Sequence, residues 1–181
     1  MKIKQIGVMG SAADLNYPKD IENIAFLLWE KLAKNGYTLI YGAEKDYDSL
    51  STAAARWAKS GWWTTVGVTY GKTPDIRWAM QEYTDVIVCT GMERWWGREY
   101  VLVSSCDAII AIGGGSWTLN EITIAYQKKI PIVVMKWTWW WSDKLADSYL
   151  DERYLTDTKR FPCTWCTTID EAVNYLNTLQ S

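Results

Sequence analysis

A chain of 181 residues with a formal charge of -2 and both signs interspersed has the size of one domain and no basic footprint for nucleic acid or anionic lipid. The complete lack of histidine excludes Ser-His-Asp and Cys-His mechanisms and leaves acid–base work to Asp, Glu, Lys, Tyr or Cys. No apolar run reaches the length of a membrane span, and the opening MKIKQIGVMG lacks a small-residue cleavage site, so a cytoplasmic location is expected.

Short β-branched runs alternate with longer amphipathic segments, which predicts βαβ units: an α/β fold with a three-layer, Rossmann-like parallel sheet flanked by helices. Ile3–Met9 reads as the first strand and ends in Gly10-Ser11-Ala12. A helix follows from Pro18 to Asn35, with Gly36 at its C-cap and Ile21, Ile24, Ala25, Leu28 and Leu32 at helical spacing. Thr38–Tyr41 is a strand breaking at Gly42, Ser49–Lys59 a helix ending at Gly61, and Thr64–Thr69 the next strand. Asp85–Cys89 reads as a strand, Arg98–Ser105 as a helix, and Ala108–Ile112 as a fully apolar central strand. After Gly113-Gly114-Gly115-Ser116, a helix is predicted over Thr118–Lys128, then a strand over Pro131–Met135 and helices over Ser142–Tyr149 and Ile169–Leu179. No repeat, low-complexity tract or linker interrupts residues 1–181, so a single nucleotide-binding domain is expected. Of the four cysteines, only Cys163-Thr-Trp-Cys166 has a metal-like spacing. Without histidine or a second pair it reads as two ordinary thiols near a loop, and no metal is expected.

The stretch from Ala108 to Glu121 carries the chemistry. Successive glycines allow left-handed backbone and aim several N–H groups inward, and the helix that follows adds unpaired N–H groups and a positive dipole end. Gly113, Gly114 and Gly115 therefore predict an anion site at the carboxyl end of the sheet, with Ser116 and Thr118 as hydroxyl donors. Glu121 stands three residues after Thr118. It reads either as half of a capping box or as a carboxylate beside the sugar of a bound phosphoester. Arg98 reads either as a solvated surface residue or as part of the site.

Arg98, fifteen residues to Gly113, and then Gly-Gly-x-x-Thr-x-x-Glu resemble the Lonely Guy cytokinin-activating phosphoribohydrolases of the SLOG superfamily, long mislabelled as lysine decarboxylases. By that resemblance Arg98 and Glu121 fall on the catalytic pair, Gly114 and Gly115 on the paired glycines, and Thr118 on the motif threonine. Gly10-Ser11 and Tyr41-Gly42 match two further turns. The similarity extends to a short-chain branch that includes molybdenum-cofactor carrier-like proteins, where a Gly-Thr-Gly-Gly-Trp segment stands at the place of Trp137-Thr138-Trp139-Trp140-Trp141. The resemblance implies a homodimer or higher homo-oligomer with no cofactor, hydrolysing a nucleoside 5′-monophosphate to free base and ribose 5-phosphate. The alternative it leaves open is a non-catalytic carrier or sensor for a phosphorylated cofactor such as molybdopterin, or for a nucleotide. Nucleic acid and membrane are not expected as partners. Departures from the pattern are Gly113 for proline, Ala43-Glu44-Lys45-Asp46 after Gly42, and Trp117 for glycine.

Thirteen tryptophans are the compositional anomaly. Trp62, Trp63, Trp95, Trp96, Trp117, Trp137, Trp139 and Trp140 stand where glycine would suit the local structure, and Trp29 and Trp57 where relatives carry it. Three readings compete: an aromatic pocket that stacks a base or pterin, plain core, or glycine positions written as tryptophan through a reassigned stop codon. If the rings are real, the loop at Trp117 is expected to be strained.

Overall fold

The structure, a computed structural model, describes residues 4–11, 17–93, 97–148, 155 and 163–180. Ile3, Ala12, Trp95, Trp96 and Tyr149, which the sequence reading placed in elements or turns, lie outside them. Seven parallel strands form one sheet: β1 Gln5–Gly10, β2 Thr38–Gly42, β3 Thr65–Thr69, β4 Val86–Cys89, β5 Ala108–Ile112, β6 Ile132–Met135 and β7 Thr164–Cys166. Helices α1 Lys19–Lys34, α2 Leu50–Ser60, α3 Trp78–Gln81, α4 Arg98–Ser104, α5 Ser116–Lys128, α6 Trp140–Ser148 and α7 Ile169–Thr178 connect and cover them.

The strand order is β4-β3-β2-β1-β5-β6-β7, so the winding direction reverses between β1 and β5. Alternate side chains of each strand enter opposite cores, because successive Cβ atoms leave opposite faces of the sheet. Ile6, Val8, Leu39, Tyr41, Ile110 and Val133 pack with α1, α2 and α7 on one face. Met9, Ile40, Ile109, Ala111 and Val134 pack with α4, α5 and α6 on the other. The wholly buried β5 is the shared seam.

Two elements were not anticipated, the one-turn α3 and the three-residue edge strand β7. The latter starts directly after Cys163 and ends on Cys166, both buried and in no disulfide; burial pushes Cys163 up to about 12. A third difference bears on the site. Helix α5 begins at Ser116, two residues before the expected start, with Gly115 at its N-cap and no side-chain capping bond. The Thr118–Glu121 capping box is therefore not formed, and Glu121 falls in the second turn of the helix instead of the first.

Candidate functional site

The β5–α5 turn sits at the carboxyl end of the sheet where the winding reverses, the place at which open α/β sheets form a ligand crevice. Register puts Gly10 opposite Ile112, so the ends of β1 and β5 meet there. Gly113 (φ 62°) and Gly114 (φ 94°) are left-handed. A Cβ on Gly113 would lie 2.7 Å from the Thr138 carbonyl, and one on Gly114 would lie 2.3 Å from Thr118 Cβ. Only glycine fits both positions.

Their amides are used differently from the sequence expectation. Gly113 N–H donates to Thr138 Oγ1 at 2.8 Å and Gly114 N–H to Ser11 Oγ at 2.7 Å. In return, Ser142 Oγ donates to the Gly113 carbonyl at 2.7 Å, and Trp141 N–H donates to the Gly114 carbonyl at 3.2 Å. The two glycines and Ser11 thus knit the turn to β1 and to the β6–α6 loop; those N–H groups do not face a ligand. The donors that helix geometry leaves without intrahelical acceptors are the first-turn amides of Ser116, Trp117 and Thr118. Ser116 is exposed at the helix mouth. Thr118 is buried, its hydroxyl donating to the Gly10 carbonyl over a long 3.4 Å.

Arg98 is not a surface arginine. It opens α4, is 7% exposed, and lies against the bare backbone of Gly42, where a Cβ would come within 3.4 Å of Nη1. Nη1 donates to Glu44 Oε1 at 2.5 Å, while Nε and Nη2 both donate to Glu99 Oε1 at 3.2 and 3.0 Å. Burial alone would weaken the guanidinium's hold on its proton. The attraction of Glu44, Glu99 and Glu121 outweighs burial and raises its pKa further. Glu121, also 7% exposed, responds in the opposite sense to its surroundings. Burial pushes its carboxyl up to about 8 against the pull of Arg98, and Glu99 and Glu44 add to the rise. Burial is the main reason that Glu121 keeps its proton, and the two further carboxyls that share the one Arg98 cation add to it.

Gly10, Ser11, Gly42, Arg98, Gly113, Gly114, Gly115, Ser116, Thr118 and Glu121 thus converge on the ends of β1, β2 and β5 and the starts of α4 and α5. Glu99, Thr138 and Ser142 were not anticipated. Glu99 is adjacent to Arg98 in sequence, and Thr138 was hidden among tryptophans. Glu44, in the sequence only part of the departure from the pattern after Gly42, is a direct partner of Arg98.

Several tryptophan expectations change. Trp117 is the second residue of α5, and neither it nor Trp63 is left-handed, so the strain expected at Trp117 is not there. Trp63 packs partly buried on the α1–α2 core. Trp62, Trp137, Trp139 and Trp140 are left-handed. Trp139 and Trp140, with Asp143 and Lys144, line a shallow open cleft of about 380 Å³. Trp29 is wholly buried on α1 with no acceptor for its indole N–H.

Comparison with known proteins places this geometry in a family. The sequence profile of the SLOG cluster4 family matches residues 3–161. The chain belongs to the SLOG cluster4 family. A relative from Archaeoglobus fulgidus, described only as an uncharacterized protein, is 29% identical over 136 residues, 75% of this chain and 82% of that protein. Among solved structures, a structural-genomics target named TM1055 superposes with a TM-score of 0.84 at 25% identity, covering 97% of this chain and 99% of that one. The molybdenum cofactor carrier protein of Chlamydomonas reinhardtii gives 0.76 at 22% identity, with 98% of each chain covered. A molybdenum cofactor binding protein from Rippkaea orientalis gives 0.76 at 20%, covering 100% and 99%. These last two share the fold of this SLOG chain.

Proposed function

We propose that this chain binds a nucleoside 5′-monophosphate with its phosphate at the first turn of α5 and hydrolyses the N-glycosidic bond, releasing base and ribose 5-phosphate. The observation that carries this reading is the pair Arg98 and Glu121, buried on two different helices and electrostatically coupled beside the glycine turn. The amides of Ser116 and Thr118 and the Ser116 hydroxyl supply donors for the phosphate. Gly42 offers bare backbone against which the Arg98 guanidinium lies. With its carboxyl raised to about 8, Glu121 holds a proton at neutral pH and is suited to act as general acid. It donates that proton to the leaving base nitrogen as the C1′–N bond breaks. Water adds to the resulting oxocarbenium carbon, and its surplus proton returns to the Glu121 carboxylate. Arg98 neutralises negative charge on the ligand by charge-assisted hydrogen bonds once Glu44 yields.

Incubation with AMP and chromatography of free adenine tests this. Release by the wild-type chain, lowered roughly 100-fold or more in Glu121→Gln, is the expected result. Absence of release by a protein that binds AMP tightly would overturn catalysis. A second reading, a carrier or sensor of a phosphorylated cofactor, is favoured by one observation: Glu44 and Glu99 already engage Arg98 from two sides. The similarity to one protein described as a molybdenum cofactor carrier and another described as a molybdenum cofactor binding protein supports the same reading. Tight ligand retention without turnover is its signature.

A further inference from the structure

Among the described residues, five other than glycine adopt left-handed backbone: Trp62 (φ 63°), Lys129 (59°), Trp137 (63°), Trp139 (81°) and Trp140 (55°). For a bulky aromatic this conformation is an outlier, since its Cβ crowds the neighbouring carbonyl. Four of the five are tryptophan, a residue with no preference for it.

The helix ends supply an internal control. Helices α1, α2 and α5 all close with the same pair of main-chain bonds. In α1 these run from Gly36 to Ala33 and from Tyr37 to Leu32; in α2 from Trp62 to Lys59 and from Trp63 to Ala58; in α5 from Lys129 to Tyr126 and from Ile130 to Ala125. The left-handed position of this motif is usually glycine, and α1 has Gly36 there. At the same position in α2 the Trp62 ring is 93% exposed, so no packing offsets the strain.

The β6–α6 loop and the first residue of α6 hold three such positions within four residues. Their path is set by groups that involve no indole: Trp137 N–H and Trp139 N–H donate to the two oxygens of Asp143, the Thr138 hydroxyl donates to the Met135 carbonyl, and Trp141 N–H and Ser142 N–H donate to the Gly114 and Gly113 carbonyls. The rings of Trp137, Trp139 and Trp140 are 69%, 48% and 40% exposed. Backbone strain persists where surroundings over-determine it. Here they determine the backbone without help from the rings: Trp137 is mostly exposed, and Trp139 and Trp140, half-exposed, meet each other edge to face at 6.2 Å, with Lys144 Nζ at 5.8 Å from the Trp140 ring. Trp63 and Trp141, each adjacent to one of these residues, are not left-handed, so the pattern follows conformation and not mere clustering.

We infer that the polypeptide made in its own cell carries glycine at positions 62, 137, 139 and 140, the codon read as tryptophan at these places being a glycine codon there. UGA is the candidate codon: it is a stop in the standard code and is reassigned to tryptophan in some codes and to glycine in others. The consequence reaches the site. Positions 137, 139 and 140 beside Gly113 and Gly114 become bare backbone while the Thr138 and Ser142 hydroxyls still hold Gly113, and the cleft beside them keeps only the Asp143 and Lys144 side chains. The inference stands independently of the ligand reading above.

Peptide sequencing by tandem mass spectrometry, on protein purified from its native cell, decides it. Glycine at all four positions is the expected result, and tryptophan at any one of them overturns the inference. A second arm uses two recombinant chains, the sequence as written and the variant W62G/W137G/W139G/W140G. The variant is expected to melt about 10 °C higher once four strained positions are relieved. An equal or lower melting temperature would show that glycine is not what these positions require.

Discussion

At the scale of single residues, the site is organised by an excess of acid around one buried guanidinium. Under the proposed function, Glu44 is the partner that an incoming anion displaces, since it holds Arg98 Nη1 directly. Replacing it by Gln keeps the shape and removes the competing charge. Glu44→Gln is expected to bind AMP about 10-fold more tightly, the size of a partly buried charge interaction of roughly 1–2 kcal/mol at intermediate effective dielectric. Isothermal calorimetry on both proteins checks this, and unchanged or weaker binding would show that Glu44 does not compete. Arg98 and Glu121 stood out in the sequence through the resemblance of their motif to a known family; the residues alone left Arg98 open as a solvated surface arginine and Glu121 as half of a capping box. The Glu44 contact was not legible there, because it spans fifty-four residues and is made only when β2 and α4 are brought together by the sheet.

At the scale of elements, what matters is the clamp between two loops. Thr138 accepts from Gly113 N–H and donates to the Met135 carbonyl, so one hydroxyl joins the end of β6 to the start of the glycine turn. Thr138→Val preserves volume and leaves a buried amide without its acceptor. A loss of about 1–3 kcal/mol is expected, measured as a lower urea midpoint with an unchanged m-value. The same variant should weaken AMP binding, because the turn that positions α5 is loosened. A variant as stable as the wild type would show that the clamp is dispensable. The strands with continuous apolar runs, β5 above all, were readable from sequence to within a residue. The three-residue β7 was not, being shorter than any periodicity can reveal. The start of α5 was displaced by two residues because Ser116 and Thr118 both resemble caps, while the structure caps the helix with Gly115 and uses the Thr118 hydroxyl on Gly10.

At the scale of the whole molecule, the titration of a few groups sets where stability peaks. Glu121 keeps its proton in the fold up to about pH 8, whereas the unfolded chain releases it near its ordinary value of about 4.5. Between those values the unfolded state binds fewer protons than the folded one, so stability falls as pH rises through that window. Other carboxyls act in the opposite direction. Asp48 is lowered on balance, its burial outweighed by hydrogen bonds from Arg56 and Thr52 and the charge of Arg56. Asp85 is lowered by Lys59 and by Thr65, and Glu171 by the amides and hydroxyl at Thr167 and Thr168. Their contribution is present above the unfolded carboxylate values and is lost as pH falls through the folded ones. The two trends meet on the acid side of neutral, and a melting-temperature maximum near pH 5 is expected. Because six of the seven strands feed both cores, the loss on either side of that maximum should appear as one transition, coincident by far-ultraviolet dichroism and tryptophan fluorescence. Glu121→Gln is expected to flatten only the limb between pH 5 and pH 8. A wild-type curve already flat over that interval would show that the Glu121 carboxyl titrates near its ordinary value, and the general-acid role assigned to it would fall with that result.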